Sequence, residues 1–564
     1  MYVRGTCSLT GDFAAKWHRR INGYDSGPSE SSDKAGGGIS YQKTQSLPIP
    51  AAMDTIFIFT FAVIFLSLLH LTKVLFTSNK TKKQKNLPPS PPSLPIIGHL
   101  HHLTKPFHQF LARLSAQHGP ILFLRLGIRS VLVVSSAALA EECFTTNDIT
   151  FANRPKFPTL RLISHNYVGL ATATYGPGWR EMRRISAIEA LSGHRLAFFT
   201  DVRAEEARDL ARRLLRDAKI GTFTRVELRS RLFGLATNVM MRMMFGKRYY
   251  GEEDGDEEAR RFKQMVGKVF SFANASNVGD FLPSALGWLA RLGVERKLAQ
   301  IHWYLDRFLQ DLVEERRRKL RRAEEEGKST NKTMLDAILS VQKDQPELYS
   351  DTFIKSLFVS LLLAGTDTSS NTIEWAMCLL LNSPEKLVKA RKEIDEKLMG
   401  NDRLLEEFDL ANLPYLHCII KETLRLYPVV PLLLPHQSLE PCNVGGYDVS
   451  SETMLLVNAY AIQRDPTVWS EPTKFMPERF LEPNVGGGKM LPFGMGRRKC
   501  PGEGLALKEL SLVLGLLIQC FEWRRVSPEE VDLKEGVGLT MPKATPLEVL
   551  CMPRQNMMRA LSQL

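Results

Sequence analysis

Cysteine is scarce and scattered. Eight occur among 564 residues, at 7, 143, 378, 418, 442, 500, 520 and 551, and none forms a Cys-x-x-Cys pair. A disulfide framework is thereby excluded, and a reducing compartment is the expectation. Long apolar runs are almost as rare, because only one stretch approaches the length of a membrane span. A polytopic membrane protein is excluded. Internal repeats are absent. With 44% hydrophobic and 24% charged residues the chain is not a disordered one either, since most of it has enough apolar surface to bury a core. Lys and Arg number 74 against 61 Asp and Glu, a formal charge of +13. That balance admits phosphate, anionic lipid or an acidic protein surface as partners without choosing among them.

Residues 1–52 are rich in Gly, Ser and mixed charge, for example Ser26-Gly27-Pro28-Ser29 and Gly36-Gly37-Gly38, and read as a disordered N-terminal extension. The stretch from Thr55 to Thr72 holds 18 residues without Asp, Glu, Lys or Arg. As a helix it would reach about 27 Å, close to the thickness of a bilayer core. Residues 53–76 are therefore expected to be one transmembrane anchor. Lys80, Lys82, Lys83 and Lys85 follow it and place the C-terminal bulk on the cytosolic side. Residues 77–98 read as a Lys- and Pro-rich linker, with five prolines in the eight residues from Pro88 to Pro95 favouring a stiff, extended spacer. No second linker divides residues 99–564. Residues 121–134 have the pattern of a β-hairpin around Gly127 to Ser130. Helical periodicity runs over Leu196–Leu215, Val226–Phe245, Ile301–Glu326, Thr352–Leu381, Ser383–Leu398 and Gly504–Cys520. The fold class expected is mainly α with a small β-sheet subdomain.

The most informative segment runs Pro492-Phe493-Gly494-Met495-Gly496-Arg497-Arg498-Lys499-Cys500-Pro501-Gly502, just before an apolar helix. A thiolate ligand needs a lowered pKa, shelter from water and N–H groups aimed at sulfur. Neighbouring cations and a helix start would provide the first and third. Gly496 and Gly502 would allow tight turns beside a flat ligand, and Phe493 would cover the sulfur. A plain buried cysteine, a zinc ligand and a nucleophile are the alternatives. No further Cys or His lies at short spacing for zinc, whereas a nucleophile's base could come from anywhere in the chain.

The set Phe493, Gly496, Arg498, Cys500 and Gly502 matches Phe-x-x-Gly-x-Arg-x-Cys-x-Gly, and this resembles the heme-binding loop of cytochromes P-450. Ala364-Gly365-Thr366-Asp367-Thr368-Ser369 is similar to the family's distal-helix motif. Taken alone, Thr368 could merely bond back to the preceding turn. Glu422 and Arg425 form an E-x-x-R pair, weak by itself, which the Pro477-Glu478-Arg479-Phe480 segment reinforces. Trp179 and Arg183 fit the W-x-x-x-R pattern, and His436 follows Leu434-Pro435.

The resemblance implies a cytochrome P-450 fold over 99–564 and heme b (iron protoporphyrin IX) held by an axial Cys500 thiolate. It implies Asp367 and Thr368 as the acid–alcohol pair that relays protons, with room for dioxygen at Ala364 and Gly365. Trp179, Arg183, His436 and Arg498 would be propionate partners, and Glu422, Arg425 and Arg479 a structural cluster. Glu374-Trp-Ala-Met, Val444-Gly-Gly-Tyr and Leu539-Thr-Met-Pro-Lys look like the plant group called family 81. Its members are endoplasmic-reticulum monooxygenases, single-pass with the catalytic domain in the cytosol, that receive electrons from NADPH through NADPH–cytochrome P-450 reductase. They oxidise small hydrophobic aromatic or terpenoid specialised metabolites, among them isoflavonoids, flavonoids and lignans, and no nucleic acid is expected as a partner. Substrate-facing stretches would be Phe157–Leu170, Phe358–Leu362, Val429–Leu434 and Leu539–Thr540. The alternatives are a heme-thiolate enzyme that rearranges its substrate or forms a methylenedioxy bridge, and a heme-binding membrane protein without catalysis. Several bridge formers of the group replace the threonine that stands here as Thr368. Ser450-Ser451-Glu452-Thr453 departs from the group's usual Pro-x-Gly-Thr turn, and the extension 1–52 is not typical of the family.

Overall fold

The computed structural model describes residues 59–67, 86–102, 106–219, 221–251, 257–273, 277–327, 333–398, 403–482 and 489–564. The chain divides into two units, Met1–Lys83 and Gln84–Leu564. In the first, residues 59–67 are helical, with Phe59, Phe61, Ile64, Phe65 and Leu66 exposed. Among the described residues no helix is long and apolar enough to cross a membrane. The rest of the expected anchor, and the whole of 1–52, lie outside the described residues.

The second unit is mostly helical with three small sheets. β1 (Ile121–Leu126) and β2 (Arg129–Val134) form the expected antiparallel hairpin, Ile121 opposite Val134. Its turn is shorter than expected, because Arg129 and Ser130 already pair. Gly127 turns at φ 59° with the Phe281 carbonyl so close that no side chain would fit. β3 (Thr224–Glu227) lies outside this sheet. β4 (His436–Gln437), β5 (Cys442–Val444), β6 (Tyr447–Val449) and β7 (Met454–Val457) follow, then β8 (Phe521–Arg525) and β9 (Glu548–Pro553). The orders are β1-β2-β7-β4, β3-β9-β8 and β5-β6, with β2 and β7 parallel.

Residues 86–98 are not a free spacer. Pro89 O accepts from Phe123 N–H at 2.9 Å, His99 Nε2 bonds Pro91 O at 2.9 Å, and Gly98 bridges Leu126. The prolines forbid helix, as expected, but the extended strand edge of β1 gives them a partner.

Six helices position the site: α1 (Pro177–Ile185), α2 (Arg229–Phe245), α3 (Ser284–Glu325), α4 (Asp351–Leu381), α5 (Pro414–Leu426) and α6 (Glu503–Cys520). α4 starts where the Ser350 side chain accepts the Phe353 N–H at 3.3 Å and stops before Pro384. It is buried over most of its length against α2, α5 and α6 in the largest hydrophobic cluster. The helix expected over Leu196–Leu215 is two, Gly193–Phe198 and Thr200–Asp217, and the one expected from Val226 begins only after β3. α3 begins 17 residues before Ile301, its first turns carrying exposed Trp288 and Leu289.

Candidate heme-thiolate site

Cys500 closes the loop that precedes α6. Its N–H donates to Phe493 O at 2.8 Å, and Gly496 turns at φ 69° against Asp148 and the Phe144 carbonyl, where a Cβ would come within 2.8 Å of that oxygen. Asp148 Oδ1 also accepts the Arg497 N–H at 3.0 Å. Gly502 has an ordinary negative φ at the N-cap of α6, so the tight turn belongs to Gly496 and not to both glycines. What Gly502 contributes is its N–H, directed to the sulfur.

The expectation of a lowered thiol pKa needs correcting. Burial, the largest influence, raises the Cys500 pKa, outweighing the Gly502 N–H and the charges of Arg183 and Lys499. Arg498 is not among the cations acting on the sulfur. A thiol in this setting keeps its proton until an ion with its own charge replaces it.

Arg498 instead turns into a pocket of cations. It donates to Ala152 O at 2.7 Å and Ala173 O at 2.6 Å and lies over the Trp179 ring at 4.1 Å. Burial, with Arg154 and Arg183 nearby, pushes its pKa down to about 8. Trp179 is held by its indole N–H on Leu170 O at 3.1 Å. Arg183 follows Trp179 by one turn of α1, and its pKa is lowered by burial. His436, in β4, donates from Nδ1 to Phe151 O at 2.7 Å and is held neutral by burial and by Arg154 and Arg498.

Arg154 was not legible as a site residue. It is buried, its pKa is pushed down to about 9, and its Nη1 bonds Leu434 O and Pro435 O while Nε has no partner. A charge inside the apolar context Phe151-Ala152-Asn153-Arg154-Pro155 is the only signal the sequence offers. Among the described residues no carboxylate pairs with Arg154, Arg183 or Arg498. Uncompensated buried guanidiniums are costly, so a ligand with two carboxylates fits this cradle on charge, and Cys500 beside Arg183 supplies a soft donor for its metal. The residues present fit a heme.

α4 carries the other expected pair. Thr368 Oγ1 donates to Ala364 O at 2.6 Å, the local back-bond that its sequence allowed. Asp367 points elsewhere: Oδ2 accepts the Thr540 hydroxyl at 2.6 Å, and burial raises its pKa against the opposing influence of Thr540, Arg229 and Asn371. The two side chains are adjacent in sequence but not bonded to each other. Asp367 lines a cavity of about 390 Å³ with Arg229, Tyr250, Ser370 and Asn371. Ala364 is exposed within this mostly buried helix, whereas Gly365 packs against α2: a Cβ there would meet Met240 Sδ at 2.6 Å. The glycine thus serves the close packing of α4 on α2.

Glu422 and Arg425 are completely buried on α5, Nε to Oε2 at 2.7 Å and Nη2 to Oε1 at 2.9 Å. Arg479 joins at 3.1 Å, and Arg425 also bonds the Gln463 and Pro472 carbonyls. This cluster ties α5 to the segment leading into the cysteine loop.

A sequence model of the family described as Cytochrome P450 matches residues 88–548. The chain is 49% identical to cytochrome P450 81Q32 of Catharanthus roseus, over 86% of this chain and 95% of that one. It is 47% identical to the (+)-piperitol/(+)-sesamin synthase of Sesamum radiatum, over 87% and 95%, and 44% identical to the isoflavone 2'-hydroxylase of Glycyrrhiza echinata, over 89% and 98%. A zebrafish cytochrome P450 solved with progesterone superposes with a TM-score of 0.69 at 27% identity, covering 80% of this chain and all of that one.

Proposed function

The chain belongs to the cytochrome P450 family, as a monooxygenase resembling family 81, and we propose on that footing that it hydroxylates a planar aromatic plant metabolite with electrons passed from NADPH by a reductase. The observation that carries this reading is the thiol of Cys500 beside Arg183, which with Arg154 and Arg498 forms a cluster of guanidiniums that no carboxylate pairs with among the described residues. A heme held there supplies insertion of one atom of dioxygen, with a thiolate whose electron donation favours O–O cleavage.

The chain's own residues do the rest. Arg154, Arg183 and Arg498 neutralise carboxylates, and His436 and Trp179 fix the orientation of that cradle. With heme bound, Cys500 would be its thiolate ligand, and the Gly502 N–H directed to the sulfur would stabilise the negative charge. Asp367, its proton affinity raised, faces the cavity beside Arg229 and takes up a proton there. Thr368 spends its own proton on Ala364 O, which leaves lone pairs free to accept another hydrogen bond.

Placement in the endoplasmic-reticulum membrane, with the catalytic unit in the cytosol, is supported by the apolar stretch Thr55–Thr72 and the lysines after it. The isoflavone hydroxylase relative favours an isoflavonoid-like substrate. Methylenedioxy-bridge formation is the second reading, favoured by the 47% identity to the sesamin-forming synthase. A panel of isoflavones, flavones, lignans and terpenoids, read by substrate-induced difference spectra and then by NADPH turnover with reductase, tests the proposal. Hydroxylated product from an aromatic member supports it. Ring closure without net hydroxylation selects the second reading, and product formation without NADPH refutes both.

A further inference from the structure

Just after the short helix Leu160–Ile163, three consecutive residues, His165, Asn166 and Tyr167, stand at φ 46°, 57° and 64°. None is a glycine, and each such residue costs about 1 kcal/mol or more, so surrounding contacts must hold the segment. The Tyr167 N–H donates to Ser164 Oγ at 3.1 Å and its hydroxyl to Phe157 O at 3.0 Å. A further contact reaches across to α3, where His165 Nε2 meets Asp306 Oδ1 at 3.0 Å.

Asp306 lies four residues after His302, and both therefore project from one face of α3. The rings of His165 and His302 are 5.0 Å apart, edge to face. One ligand atom from each of His165, His302 and Asp306 falls within 4.8 Å of the others. His165 is only 8% exposed, and the Nδ1 atoms of both histidines are buried without a hydrogen-bond partner. Unsatisfied buried nitrogens cost on the order of 1–3 kcal/mol each. Lys355 Nζ, from α4, shares Asp306 Oδ1 at 2.7 Å, so both contacts to this carboxylate fall on one oxygen.

We propose that His165, His302 and Asp306 bind one divalent transition-metal ion of the zinc class, which clamps the left-handed segment onto α3. Two imidazoles and a carboxylate suit zinc far better than magnesium or calcium, whose sites are built from oxygen. At metal–ligand distances of about 2.0–2.2 Å, tetrahedral ligand atoms sit roughly 3.4 Å apart, so the three groups need only draw together by about 1.4 Å or less. Water fills the fourth position. The ammonium of Lys355 opposes the ion and keeps the affinity modest.

The test uses purified holoenzyme, stripped with a chelator and dialysed against micromolar zinc, with bound metal counted per heme by mass spectrometry. Wild type is expected to hold one zinc more than His302→Ala, which binds at least about 10-fold more weakly at this position. Lys355→Gln is expected to bind more tightly than wild type, and magnesium at the same concentration not at all. Equal zinc in wild type and His302→Ala, or magnesium binding as well as zinc, overturns the proposal. Should His302→Ala not accumulate as heme protein, modification of wild-type His302 by diethyl pyrocarbonate decides the same question. Zinc protection of that peptide supports the site, and an unchanged rate refutes it.

Discussion

Arg183→Gln separates a ligand-binding cation from a structural one. Arg183 is half-buried on α1 with its proton affinity lowered by burial, and no carboxylate of the described chain pairs with it. Removing its charge therefore takes nothing from the folded chain that another acid must replace, and it relieves repulsion with Arg498. If Arg183 binds a heme carboxylate, the variant loses one charge-assisted hydrogen bond, worth about 1.5–3 kcal/mol. At about 1.4 kcal/mol per decade, that is a loss of heme affinity of roughly 10- to 150-fold. The assay is heme transfer to an excess of apomyoglobin, followed in the Soret region, together with the thermal midpoint of the heme-free chain. The expected result is faster heme release with an unchanged or higher midpoint for the apoprotein. Wild-type release combined with a lowered apoprotein midpoint would refute the reasoning, since it would make Arg183 a packing residue.

Glu422→Gln leaves the buried Arg425 guanidinium without its counter-ion and should cost about 3–5 kcal/mol, read as loss of folded heme protein or a large fall in thermal midpoint. Glu452 occupies a left-handed position at φ 61° where relatives of this group carry glycine; Glu452→Gly should stabilise by about 0.5–1 kcal/mol in denaturant unfolding, and destabilisation would mean the side chain is needed. Glu509, on α6, is buried with Oε1 unpartnered, and burial pushes its pKa up to about 8. An acid whose folded pKa is raised makes the fold less stable as pH climbs from its unfolded pKa through its folded one. Glu509→Gln should therefore be nearly neutral at about pH 4 and stabilise by a few kcal/mol above about pH 8, and a pH-independent effect would contradict it.

Much of the site was legible because its parts are local. The cysteine loop, the E-x-x-R pair and α4 each show their pattern within a short stretch of sequence, and α4 also has Ser350 to start it and Pro384 to stop it. What was not legible comes from burial and from distance along the chain. The rise in the Cys500 pKa depends on how deeply the sulfur is enclosed, which no spacing encodes. Arg154 joins Arg183, His436 and Arg498 only when four separate segments meet, and β3 pairs with β9 across some 320 residues. The packing of Gly365 against Met240 is likewise not encoded locally, since the sequence shows a small side chain and not which helix approaches it. The early turns of α3 mix exposed tryptophan and leucine with charge, and so lack the one-sided pattern by which a helix is recognised.

Whether Cys500 binds heme iron as a thiolate is read from the carbon monoxide difference spectrum of the reduced, purified holoprotein. Wild type is expected to show the red-shifted Soret band of a thiolate-ligated heme, and Cys500→Ala to lose it. A wild-type band at the position typical of nitrogen-ligated heme, or a red-shifted band that survives in Cys500→Ala, would contradict it.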